Sequence, residues 1–141
     1  MSRILAVDYG CKRVGIAVSD PLKIIASPLV TIETGNLFNF LKNYFIENQI
    51  EKIVIGYPKK LNNKPANITE EIDTVIKYLN TNYPKIEIVK FDERFTSKIA
   101  FNAMIESGIS KKKRQDKALI DKIAATLILE DYLERLNNSN S

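Results

Sequence analysis

The chain has 141 residues, 45% of them apolar, a formal net charge of +4 and an isoelectric point near 9.1. That length and apolar content suffice for one domain with its own core and exclude wholesale disorder, while no apolar run approaches the roughly 20 residues of a bilayer span. There is no histidine and one cysteine, Cys11, so Ser-His-Asp triads, Cys-His pairs, thiolate clusters and internal disulfides are all excluded.

The opening residues, with Asp8 closing an apolar stretch, predict a first strand over 4–8 rather than a signal peptide. A glycine turn leads to a second strand over 14–18. A third, over 24–32, is interrupted by Pro28, which predicts an edge strand or a bulge. Three short strands joined by tight turns make an antiparallel meander. The period then changes. Leu37, Phe40, Leu41, Tyr44 and Phe45 lie at helical spacing and predict a helix over 36–48. A buried-type strand follows over 52–56. Ile68, Ile72, Val75, Ile76 and Leu79 mark a helix over 67–79, and a strand over 86–91 runs into Asp92-Glu93. Helices are predicted over 97–107 and 117–136, separated by a polar basic loop. The domain then spans 1–136, and 137–141 is expected to be a flexible tail.

Three antiparallel strands, two helix-strand units and terminal helices form the order of an RNase H-like α/β domain. Its mixed five-stranded sheet has three antiparallel strands, then two parallel ones, with flanking helices.

With histidine absent, catalysis falls to carboxylates, Lys, Arg, Tyr, hydroxyls or an oxygen-bound metal. Asp8 ends the first strand beside Gly10, and Glu93 follows the end of a strand parallel to it. In open α/β sheets, ligands gather beyond the carboxyl ends of the strands, so both acids can reach one crevice. Asp121 falls in the middle of the apolar arc of Ala124, Ala125, Ile128 and Tyr132. An inward carboxylate is costly unless paired or metal-bound. The two small alanines let its helix approach the sheet closely. Each acid also has a plainer reading. Asp8 could cap its turn, Glu93 could pair with Arg94 while Asp92 or Thr96 caps a helix, and Asp121 could pair with Arg13 or Arg94. Together, Asp8, Glu93 and Asp121 supply the oxygen ligands a hard cation such as Mg²⁺ or Mn²⁺ requires. Two such ions about 4 Å apart hydrolyse phosphodiesters without histidine. Lys12, Arg13, Arg94 and the cluster Lys111, Lys112, Lys113 and Arg114 are the candidate contacts to nucleic-acid phosphates, the plainer reading of the cluster being a solvated loop with no partner.

The stretch from Asp8-Tyr9-Gly10-Cys11-Lys12-Arg13-Val14-Gly15 to Ser19-Asp20 resembles the opening motif of the YqgF family. Its members are described as Holliday-junction resolvases or pre-16S ribosomal RNA nucleases. Ile53-Val54-Ile55-Gly56-Tyr57-Pro58, Asp92-Glu93-Arg94-Phe95-Thr96-Ser97 and Asp121-Lys122-Ile123-Ala124-Ala125 are similar to the three later motifs in order. The resemblance implies an RNase H-like fold and a metal-dependent nuclease that matures the 5′ end of pre-16S rRNA, with Asp8, Glu93 and Asp121 as its acidic site. The single cysteine fits a reducing cytoplasm. Asn63-Lys64 departs from the Gly-Ser or Gly-Thr pair usual in relatives, and Cys11 and Phe95 are milder departures. Pre-rRNA and branched DNA both stand as substrates, as a monomer or a homodimer. The competing classes are a non-catalytic nucleic-acid-binding factor on the same scaffold and an actin-like or sugar-kinase ATPase.

Overall fold

The computed structural model describes residues 2–58, 67–92 and 117–139. The expectations placed on Glu93, Arg94, the helix over 97–107, Lys111, Lys112, Lys113, Arg114 and Asn63-Lys64 lie outside them.

Strands β1 (Arg3–Tyr9), β2 (Arg13–Ser19) and β3 (Ala26–Glu33) form the expected meander. A short 3-10 turn, Thr34–Asn36, leads into helix α1 (Leu37–Glu47), followed by β4 (Ile50–Tyr57), α2 (Ile68–Asn82) and β5 (Glu87–Asp92). The last element is α3 (Lys117–Ser139), which runs three residues past the predicted stop at 136. The sheet order is β3-β2-β1-β4-β5, antiparallel across β1, β2 and β3, then parallel from β1 to β4 and from β4 to β5. Pro28 sits on the edge strand, where a residue without an N–H is tolerated. The register there jumps from Ile16↔Val30 to Ala17↔Pro28, so Leu29 is the extra residue of a bulge.

Strand alternation divides the core between two faces. Leu5, Val7, Tyr9, Val14 and Ile16 pack with Leu37 and Leu41 of α1 and with Ile68, Ile72, Val75 and Leu79 of α2. Ile4, Ala6, Ala17, Val54 and Phe91 face the other way, against Ala125, Ile128, Leu129 and Leu133 of α3. Ala6, Gly15 and Ala17 leave room on the second face, and α3 lies close to the sheet there, across β2, β3 and β1. Among the described residues, no helix is long and apolar enough to cross a membrane.

Candidate active site at the end of β1

Asp8 continues the alternation of Ile4 and Ala6, so its side chain lies on the α3 face at the carboxyl end of β1. Its partner across the antiparallel pair is Gly15, and Gly15 in turn pairs with Thr31. Gly15 is the seat of α3. A methyl group there would lie 2.1 Å from the backbone oxygen of Asp121 and 2.4 Å from its carbonyl carbon. Hence the backbone of Asp121 rests on the sheet at the residue paired with Asp8, and the two acids belong to one small area. On the opposite side of Asp8, Gly56 stands one residue beyond Ile55, the partner of Val7.

Asp121 meets Arg13, the first residue of β2, which shares its face with Gly15 and Ala17. The Arg13 Nε donates to Asp121 Oδ2 at 3.1 Å, with the two side chains 36% and 23% exposed. The inward carboxylate anticipated from the helical arc is therefore both beside Asp8 and bonded to a cation. The ion pair is one of the two roles the sequence leaves open for Asp121. Of the two arginines considered as its partner, Arg13 is the one described. Asp8 and Asp121 are the members of the expected acidic trio that the described residues bring together, and Glu93 falls beyond them. No group of three His, Cys, Asp or Glu side chains suited to a metal occurs among the described residues.

The hairpin carrying Asp8 and Arg13 is clasped from the other face. Thr34 donates its hydroxyl to the Gly10 carbonyl at 2.6 Å and its N–H to the Lys12 carbonyl at 3.0 Å. Tyr9, 8% exposed, donates its hydroxyl to Glu71 Oε1 at 3.0 Å, and Cys11 Sγ lies 3.6 Å from the other oxygen of Glu71. Burial, reinforced by the hydrogen bond and negative charge of Glu71, pushes the Tyr9 phenol up to about 12. Gly10 fits the same tight turn, since a Cβ there would sit 2.7 Å from the Arg13 carbonyl oxygen. Neither Thr34 nor Glu71 stood out in the sequence. Each acts on a loop more than twenty residues away, and such tertiary pairing leaves no local pattern.

Lys12 is exposed at the hairpin tip, next to Arg13. The area thus presents two carboxylates at the end of a parallel strand, flanked by two cations. Carboxylate oxygens suit a hard divalent cation, and the neighbouring cations suit a polyanion.

This sheet order, with acids at the end of the central strand beneath a closely seated helix, defines an RNase H-like domain. Its likeness to solved structures is of that kind. Thermus thermophilus RuvC, solved with a Holliday junction substrate, superimposes with a TM-score of 0.59 at 12% identity, covering 97% of each chain. The fowlpox virus resolvase, solved with Holliday junction DNA, gives 0.54 at 13% identity, covering 95% of this chain and 98% of that one. Residues 2–135 match the family described as RuvX, Holliday junction resolvase, and the chain belongs to that family. A Flavobacterium psychrophilum relative named "Putative pre-16S rRNA nuclease" is 50% identical, over 96% of this chain and 98% of its own. A Bacteroides thetaiotaomicron relative of the same name is 47% identical, over 95% and 97%. The resemblance drawn from four sequence motifs is thereby confirmed, and the fold expected from element order is the one observed.

Proposed function

We propose that the chain is a metal-dependent nuclease that hydrolyses nucleic-acid phosphodiesters and trims the 5′ end of pre-16S rRNA. The observation that carries this reading is the placement of Asp8 and Asp121 on either side of Gly15, at the carboxyl end of β1. The names of the relatives supply the substrate.

The donor set fits Mg²⁺ or Mn²⁺. Asp8 and Asp121 offer only oxygen, are half-buried rather than sealed, and have no histidine near them to favour softer metals. The proposal completes the trio with Glu93, two residues along the chain from Phe91, whose ring lies on the α3 face. A bound divalent metal would activate water and stabilise the departing oxygen of the phosphodiester. The protein's own contribution is to hold the acids. Gly15 lets α3 close on the sheet, the Thr34 and Glu71 clasp fixes the hairpin, and Lys12 stands ready for a backbone phosphate. Lys111, Lys112, Lys113, Arg114 and Arg94 extend that contact to flanking phosphates in this reading.

The family description and the two resolvase structures favour one further substrate, the four-way DNA junction. A cleavage assay offering a pre-16S 5′ leader RNA and a Holliday junction, each with Mg²⁺, Mn²⁺ or chelator, decides between them. Metal-dependent cutting of the leader supports the proposal, and cutting of the junction alone replaces its substrate. Asp8→Asn is expected to abolish the activity while leaving the melting temperature near the parent's. A folded Asp8→Asn protein with parental turnover would overturn the site.

A further inference from the structure

The ion pair at Asp121 carries a consequence for how the site is loaded. The carboxylate of Asp121, whose backbone rests on the strand partner of Asp8, already holds a monovalent cation, the Arg13 guanidinium, on Oδ2. A divalent ion bound to Asp121 places a second positive centre within a few ångströms of that guanidinium, and like charges so close repel strongly in a partly buried site. Arg13 has somewhere to go. Its side chain is 36% exposed, it begins β2, and exposed Lys12 precedes it. A guanidinium with five donors in a rigid fork is also the side chain best matched to a phosphate.

We propose that Arg13 is an exchangeable counter-ion. It neutralises Asp121 in the metal-free protein, is displaced when divalent metal binds, and then turns to a phosphate of the nucleic acid. The proposal rests on the reading of Asp8 and Asp121 as metal ligands. It makes Arg13 a positioning residue in one state and a substrate contact in the other. Metal and nucleic acid consequently favour each other's binding, because each removes a competitor of the other.

The test needs no turnover. Mn²⁺ binding to the full-length protein without nucleic acid is measured by titration calorimetry for the parent, Arg13→Gln, Arg13→Lys and Asp121→Asn. Removing the competing cation is expected to tighten Mn²⁺ binding roughly two- to fivefold in Arg13→Gln, the range expected for losing a partly exposed ion pair. Arg13→Lys keeps a charge there and should return the affinity towards the parent's. The salt dependence of binding to a single-stranded RNA is then compared with and without Ca²⁺, with the RNA checked for integrity. With the ion present, the log-log slope of Arg13→Gln should be shallower than the parent's by roughly 0.7, one phosphate contact. Without it, the two slopes should coincide.

Mn²⁺ binding in Arg13→Gln that equals or falls below the parent's, while Asp121→Asn has lost it, would refute the exchange and leave the metal site standing. Arg13→Lys binding Mn²⁺ more tightly than the parent would refute it too, since charge would not be the cause. Undiminished binding in Asp121→Asn would remove the metal site, and the exchange with it.

Discussion

Gly15→Ala is the most economical test of how the site is assembled. The added methyl would stand 2.1 Å from the Asp121 carbonyl oxygen, 2.4 Å from its carbon and 3.1 Å from its Cβ. Non-bonded heavy atoms settle at about 3.5 Å, so the strand and the helix must part by more than about 1 Å. The first two obstacles are backbone, which no rotamer change relieves. Lifting α3 loosens the contacts of Ala124, Ala125, Ile128 and Leu129, all buried to within 2%. Overpacking of this kind costs about 1–3 kcal/mol. Alanine's better strand conformation recovers about 0.5–1 kcal/mol of that, so a net loss of roughly 1–2 kcal/mol is expected in urea denaturation, with the slope unchanged. Activity should fall further than stability. A displacement of about 1 Å at a reacting centre costs on the order of 100-fold, and the residue displaced is Asp121 itself. Under conditions where the variant is fully folded, turnover should therefore drop about two orders of magnitude and stabilisation by Mn²⁺ should shrink. A Gly15→Ala protein with parental urea midpoint and parental cleavage would show that α3 does not bear on Gly15, and the convergence of Asp8 with Asp121 would lose its geometric basis.

Three other outcomes are expected. In chelator, Asp121→Asn should melt within about 1 kcal/mol of the parent because its ion pair is partly solvated; a loss of about 3–5 kcal/mol would mark a sealed pair instead. The Tyr9 phenol, held up to about 12 against an ordinary value of 10.0, favours the fold fully below pH 10 and loses that contribution as pH rises towards 12. Alkaline ultraviolet titration of the parent minus Tyr9→Phe should accordingly show a phenol ionising near 12, and a difference centred on 10 would refute the Tyr9–Glu71 bond. Replacing Lys111, Lys112, Lys113 and Arg114 with Gln should weaken RNA binding and flatten its log-log salt slope by roughly 3, at about 0.7–0.9 for each lost phosphate contact, whereas an unchanged slope would place these residues in solvent.

The architecture was legible because the longer described elements carry patterns that their environments demand. Unbroken apolar runs in β1 and β2 mark strands whose two faces meet different helices, and Pro28 betrays the edge by what it cannot donate. The end of α3 was less legible. Asn137 and Ser139 are poor helix formers, and the sequence reading stopped the helix at 136, yet it continues to Ser139. The 3-10 turn Thr34–Asn36 was also folded into the predicted loop and helix start, because a single turn has too few residues to show a period.

The site divides along a similar line. The proposed chemistry comes from elimination, since a chain without histidine and with one cysteine has carboxylates to offer a hard metal. The inward position of Asp121 was readable too, from the helical angle it shares with Ala124, Ala125 and Ile128. What could not be read was the pairing with Arg13. It lies 108 residues away in the chain, and nothing in either segment's pattern announces the contact. That pairing is made by the sheet. Antiparallel pairing sets Gly15 against Asp8, alternation places Arg13 on the same face two residues earlier, and the missing Cβ of Gly15 brings α3 down until Asp121 is within reach of that guanidinium. One short motif thus supplies an acid, the space in which a second acid can approach it, and the cation that holds the second acid. The clustering of these residue types within Asp8–Gly15 is a consequence of hairpin geometry, in which positions seven residues apart become direct neighbours across the turn.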